Sequence, residues 1–209
     1  FFVFGAFVAL ALWLPYYYTQ VYGVSVGVAG TLTALYNTPG SAFRILGGIV
    51  SDKIGARKVM YWTFIVSVVC LFILSYPSTE YIIQGVKENI HIFIEIPLWL
   101  FVFVTFILGS FMSLGKAAVY KHIPVYYPNN VGSVGGIVGL IGGLGGFFLP
   151  LLFSLLNELS QVWTTCFMSL FVITFIALIW MHISIVNLNK RKFKELNDSE
   201  YFPELDLKK

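Results

Sequence analysis

Charge is scarce in this chain. Only 11% of its 209 residues are Asp, Glu, Lys or Arg, whereas 58% are hydrophobic, and the mean hydropathy is +0.83. A water-soluble domain of this length cannot hide so much apolar surface, which places the chain in the membrane class. Cysteine is nearly absent. Cys70 and Cys166 both lie inside apolar runs, so they read as packing residues rather than as a disulfide or a zinc site. His91, His122 and His182 are spread over a loop and span ends with no metal-ligand spacing, so no metal or cofactor is expected. No HExxH, no Cys–His pairing and no pair of carboxylates stands inside an apolar run, which argues against a membrane enzyme. The net charge of +3 is to be read by location in such a chain and is no argument for nucleic acid. An initiator methionine is also missing. The chain opens at Phe1 inside an apolar run, without the basic n-region or cleavage site of a signal peptide, so a fragment lacking its N-terminal part is expected.

What is present is a set of long apolar runs. A bilayer core takes roughly 20 apolar residues per helix, and six runs meet that length, at about 1–22, 27–51, 58–76, 96–120, 132–156 and 162–186. Residues 187–209, "NLNKRKFKELNDSEYFPELDLKK", read as a solvated tail. Eleven of the 13 basic residues fall on one side: Lys53, Arg57 and Lys58 between spans two and three, Lys116 and Lys121 at the end of span four, and the six of the tail. Lys87 alone lies on the other side, in the loop 77–97 with Glu80, Glu88 and Glu95. That bias puts the tail in the cytoplasm. Pro15 is expected to kink or end the first helix. Tyr16, Tyr17, Tyr18 and Tyr22 are expected at an outer interface.

The remaining basic residue is Arg44, in "SAFRILGG". It precedes Asp52 by eight residues, roughly 12 Å along a helix, and so approaches the midplane of a core about 30 Å thick. A charge at that depth costs several kcal/mol unless it is paired or hydrated. Every acidic residue sits at a span end, in a loop or in the tail. Arg44 therefore faces water, meets a carboxylate on an absent part of the chain, or holds a mobile anion. Its planar fork of donors suits a flat oxyanion, and this is the favoured expectation. Lys116 is expected to snorkel toward the inner interface, with an anion path as the alternative.

The fifth span, "GSVGGIVGLIGGLGGFFLP", carries Gly132, Gly135, Gly136, Gly139, Gly142, Gly143, Gly145 and Gly146. Most recur every three or four residues and are expected to form one seam, where small residues let helices approach or leave backbone bare beside a ligand. Phe147, Phe148 and Pro150 are expected to close that helix. Between spans two and three stands "GGIVSDKIGARK", in which Asp52 can pair with basic residues and latch the inner face in one state.

The pattern Gly48, Asp52, Gly55, Arg57, Lys58 resembles the loop motif of the major facilitator superfamily. Within it, "AFRILGGIVSDKIGARK", "GSFMSLGKAAVYKHIPVYYPNNVGSVGG" and "GGIVGLIGGLGGFFLP" resemble the nitrate/nitrite porter family, over nearly all of residues 1–186. The resemblance implies an all-α membrane fold in which these six spans (1–186) form the second half of a twelve-helix transporter, with the tail 187–209 outside it. It implies transport of nitrate or nitrite by alternating access, with protons a candidate coupling ion. Arg44 matches an arginine that each half supplies to the anion, Phe4 an aromatic packed against it, and Gly139 and Gly142 the bordering signature. The alternatives are a transporter of another small oxyanion and a non-transporting fragment or assembly subunit. No titratable carboxylate lies within the spans, so no proton carrier is apparent from the sequence.

Overall fold

The computed structural model describes residues 1–85 and 88–195, without the side chains of Ser41 and of 189–195. Lys87 and residues 196–209 lie outside the described residues, so the expectation of a solvated tail is not addressed beyond 195. The described chain is helical apart from one hairpin. A π-helical turn, Phe2–Ala6, leads into α1 (Phe7–Tyr22); α2 (Val26–Asn37), α3 (Pro39–Ile54) and α4 (Ala56–Leu74) follow. Strands β1 (Thr79–Gln84) and β2 (Asn89–Ile94) precede α5 (Leu98–Tyr126), α6 (Val131–Ser160) and α7 (Thr165–Glu195).

Five helices among the described residues are long and apolar enough to cross a membrane: Phe2–Tyr22, Ala56–Leu74, Leu98–Tyr126, Pro128–Ser160 and Thr165–Leu188. The expected second span, 27–51, is instead two helices of 12 and 16 residues with Thr38 between them. The cause is Pro39, which has no N–H to donate to the preceding turn, while Thr38 still donates to the Ala34 carbonyl (2.8 Å).

Two other prolines do not end their helices. Helix α1 continues past Pro15 and ends at Gly23, whose φ of +63° is the left-handed cap that glycine adopts freely. Helix α6 runs past Phe147, Phe148 and Pro150 to Ser160. Apolar residues flank each proline, and in lipid a helix retains its remaining internal hydrogen bonds because no water competes for them.

The core lies around α1 and α5. Tyr17 and Tyr18 are buried there against neighbouring helices. The Tyr17 ring stacks on Phe101 (4.9 Å between centroids) and meets Phe167 edge-on (5.2 Å), and Tyr18 meets Phe101 edge-on (5.4 Å). Only Tyr16 of the triplet is largely exposed. Successive helical residues point about 100° apart, so a run of three tyrosines cannot share one surface. Both cysteines are buried and free.

The loop 77–97 holds the antiparallel hairpin β1–β2, with Tyr81 opposite Ile92 and Ile83 opposite Ile90. His91 Nδ1 lies 2.6 Å from Glu80 Oε1 on its other face. Ile90, Ile92 and Ile94 stand at strand spacing, and both segments are rich in β-branched and aromatic residues.

Candidate functional site

Helices α3 and α5 run side by side in the same direction and meet nearly backbone to backbone. A Cβ placed on Gly47 would stand 2.9 Å from the Cα and the carbonyl oxygen of Leu114, and one on Gly40 would stand 2.8 Å from the Phe7 ring. Gly40, Gly47 and Ser51 recur at helical spacing and are buried along one side of α3, with Arg44 at the edge of that side. Arg44 itself is left uncovered by the rest of the chain.

The C-terminal ends of these helices are tied together. Asp52 pairs with Lys121, and from α4 an Nη of Arg57 donates to the Tyr126 hydroxyl (3.1 Å). Arg44 precedes Asp52 by eight residues and Lys116 precedes Lys121 by five, so along this register Lys116 lies roughly one helical turn closer to those ends than Arg44.

Lys116 does not snorkel. It is 4% exposed, and α5 continues six residues past the expected span end at 120. Its Nζ lies 3.7 Å from the Phe7 ring centroid and 4.8 Å from that of Phe4. It also repels Arg44 electrostatically across the α3–α5 contact. Phe7 is held by stacking on Tyr36 (4.9 Å), whose hydroxyl donates to the Phe7 carbonyl (3.2 Å). Among the described residues no carboxylate pairs with Arg44 or Lys116.

Phe4 joins this cluster to α6. A Cβ on Gly142 would stand 2.6 Å from Phe4 Cδ1, so only glycine lets the ring lie on the α6 backbone. A Cβ on Gly139 would stand 3.5 Å from the Tyr120 hydroxyl, one turn beyond Lys116. The glycines do not form one seam. Gly142, Gly145 and Gly146 meet the chain's first residues, whereas Gly132, Gly136 and Gly143 face open space. Eight glycines within fifteen residues exceed what one face of a 3.6-residue helix can carry.

In the loop motif, Gly55 has φ +90°, a conformation that glycine adopts without strain, and it divides α3 from α4. Asp52 and Arg57 both engage α5, Gly48 meets nothing within 4 Å, and Lys58 is exposed.

The structure thus gathers Lys116, Phe4 and Gly142, with Arg44 acting on Lys116 from α3, Gly139 a turn away and the loop motif at the helix ends. Phe7, Tyr36 and the burial of Lys116 were missed from sequence. The i, i+3 spacing of Phe4 and Phe7 was a visible signal, but a partner on α5 was not. Two cations, two aromatic rings and bare glycine backbone, without a fixed acid, suit a small anion.

The family model of the Major Facilitator Superfamily matches residues 1–203. A protein of Thermus thermophilus called a probable nitrate/nitrite antiporter, NarK1, is 43% identical over 206 residues, covering 95% of this chain and 45% of its own length. The nitrite extrusion protein of Bacillus subtilis is 28% identical over 185 residues, covering 87% of this chain and 42% of its own. A probable nitrate transporter, NarT, of Staphylococcus epidermidis is 28% identical over 192 residues, covering 92% and 44%. The chain spans less than half the length of these curated relatives.

Proposed function

The chain belongs to the major facilitator superfamily, and from that premise we propose that it is the second six-helix half of a secondary active transporter of nitrate or nitrite. In this reading α2 and α3 cross as one span broken at Thr38–Pro39, which supplies the sixth crossing. The basic ends of α3, α4 and α5 and the C-terminus face the cytoplasm, by the bias of basic residues toward that side, and the membrane is the cytoplasmic one. A first half supplies a second arginine from across the centre, and the two halves rock around the anion between them.

The observation that carries this reading is Arg44. It is an obligate cation at mid-depth, uncovered by its own chain, with no carboxylate partner among the described residues and a second cation beside it. Such a site is stable against repulsion only when negative charge enters. Two arginines facing each other resist closure when empty, and an anion relieves them, which makes occlusion substrate-dependent. Phe4, Gly139 and Gly142 border the anion. The Asp52–Lys121 and Arg57–Tyr126 contacts latch the inner ends and release in the other state.

Arg44→Lys keeps the charge and loses the planar fork. Counterflow of labelled nitrate in proteoliposomes of the complete transporter is expected to fall at least about tenfold, the effect of roughly 1.4 kcal/mol or more. Near-normal counterflow by that variant refutes the reading.

A further inference from the structure

Resting on that reading of the anion site, we propose that Lys116 is the proton carrier of the cycle. It holds its proton while the anion is bound and yields it when the site is empty, so one anion and one proton cross together.

The Lys116 amine stands among groups from several elements. From the N-terminal turn and α1 it meets the rings of Phe4 and Phe7. From α3 the charge of Arg44 acts on it. The titratable groups nearby are Tyr36 on α2, whose hydroxyl is engaged with the Phe7 carbonyl, and Tyr120 one turn along α5. On α4, Thr63 packs against Gly115 and donates to the Phe111 carbonyl (3.1 Å). None of these supplies a negative charge. Cation–π contact offsets only part of the cost of burying a desolvated ammonium.

Arginine and lysine answer an uncompensated charge differently. The guanidinium keeps its proton under all conditions in a protein, whereas a lysine amine can release its own. The empty site therefore sheds the one charge it can, that of Lys116, and keeps those of Arg44 and of the arginine from the first half. When a nitrate arrives, its negative charge offsets one further cation, and the Nζ lone pair takes a proton from the solution on the entry side. One N–H bond forms on binding and the same bond breaks on the exit side. The pair carries no net charge. Exchange of one anion for another leaves the proton in place, so the same site runs proton-independent exchange and proton-coupled net uptake.

The linkage is reciprocal: if nitrate binding takes up a proton, raising pH must weaken nitrate binding. The experiment uses the intact transporter containing this chain. In weakly buffered detergent solution with a pH-indicator dye, nitrate binding is expected to take up about one proton per anion, and affinity is expected to fall about tenfold per pH unit once the empty site has lost its proton. In proteoliposomes, net nitrate uptake is expected to move about one proton per nitrate. In Lys116→Arg and Lys116→Gln that ratio is expected to drop below about one tenth, with counterflow reduced but measurable. Binding by the wild type without proton uptake overturns the proposal whatever the variants do. So does coupling that survives in either variant. Loss of counterflow in both variants overturns it as well, since Lys116 is then a plain anion ligand. Intact exchange without proton movement defeats only this inference, whereas undiminished counterflow in Arg44→Lys defeats the anion-site reading beneath it.

Discussion

Gly5 and Gly145 show how much one absent methyl group decides. A Cβ on Gly5 would stand 2.7 Å from the Gly145 Cα and 2.9 Å from the Gly142 carbonyl oxygen. Those atoms are backbone, so no side-chain rotation relieves the clash. Gly143, two positions away, has open space around it. Gly5→Val is therefore expected to destabilise the helix pair by about 1–3 kcal/mol. Gly143→Ala is expected to leave stability within about 0.5 kcal/mol, or to raise it slightly through helix propensity. Thermal unfolding in detergent separates the two. Equal losses would mean that the approach of α6 to the N-terminal turn does not depend on glycine. The same approach lets Phe4 lie on the Gly142 backbone and brings α6 to the anion level.

At the scale of elements, the register of α3 against α5 matters most, because it puts Arg44 within about one helical turn of the level of Lys116. That register rests on the glycine contact at Gly47 and on the Asp52–Lys121 pair. The ion pair joins an exposed Asp52 to a partly exposed Lys121, and such a pair contributes at most about 1 kcal/mol. Its effect is expected in the balance of states instead of in folding. Asp52→Asn and Lys121→Gln are each expected to change thermal unfolding little yet to slow counterflow, and the double variant is expected to be no slower than either single one. Additive losses would show that the two residues act apart. Pro39 is the second element-scale device. Pro39→Ala restores an N–H to the helix, and is expected to raise the protection of the Leu35–Thr38 amides in hydrogen exchange. Unchanged exchange would mean that packing rather than proline breaks the helix.

The whole molecule leaves much of α6 and α7 uncovered. Only 28% of the most apolar window of Pro128–Ser160, and 11% of that of Thr165–Leu188, is buried within the chain. On α6 the uncovered surface includes Gly132, Gly136 and Gly143, where a second helix can come close without displacing side chains. In the proposed transporter that surface receives the first half. Gly136→Trp is accordingly expected to preserve the helical content of this half while lowering nitrate counterflow of the complete transporter at least about tenfold, since a large side chain holds the halves apart. Full counterflow in that variant would place the partner half elsewhere. This chain reconstituted alone is expected to give no counterflow, and addition of the first half is expected to restore it.

Much of this was legible in the chain itself. Long apolar runs demand helices wherever water cannot satisfy the backbone, so the helical membrane class followed from composition. The isolation of Arg44 from every carboxylate followed from counting charges. Helix ends were legible where glycine caps them, at Gly23 and Gly55, and illegible at Pro15 and Pro150, which are tolerated inside helices in lipid. The split of the second run needed the position of one missing N–H. Lys116 needed the fold outright: whether a lysine snorkels or is buried depends on where its helix ends and what leans on it, here six further residues of α5 and two phenylalanines from the chain's first eight. The sequence determined which charges enter the membrane, because that is a property of order along the chain. Tertiary structure alone decided that two of them stand together, because depth and contact are set by how helices pack.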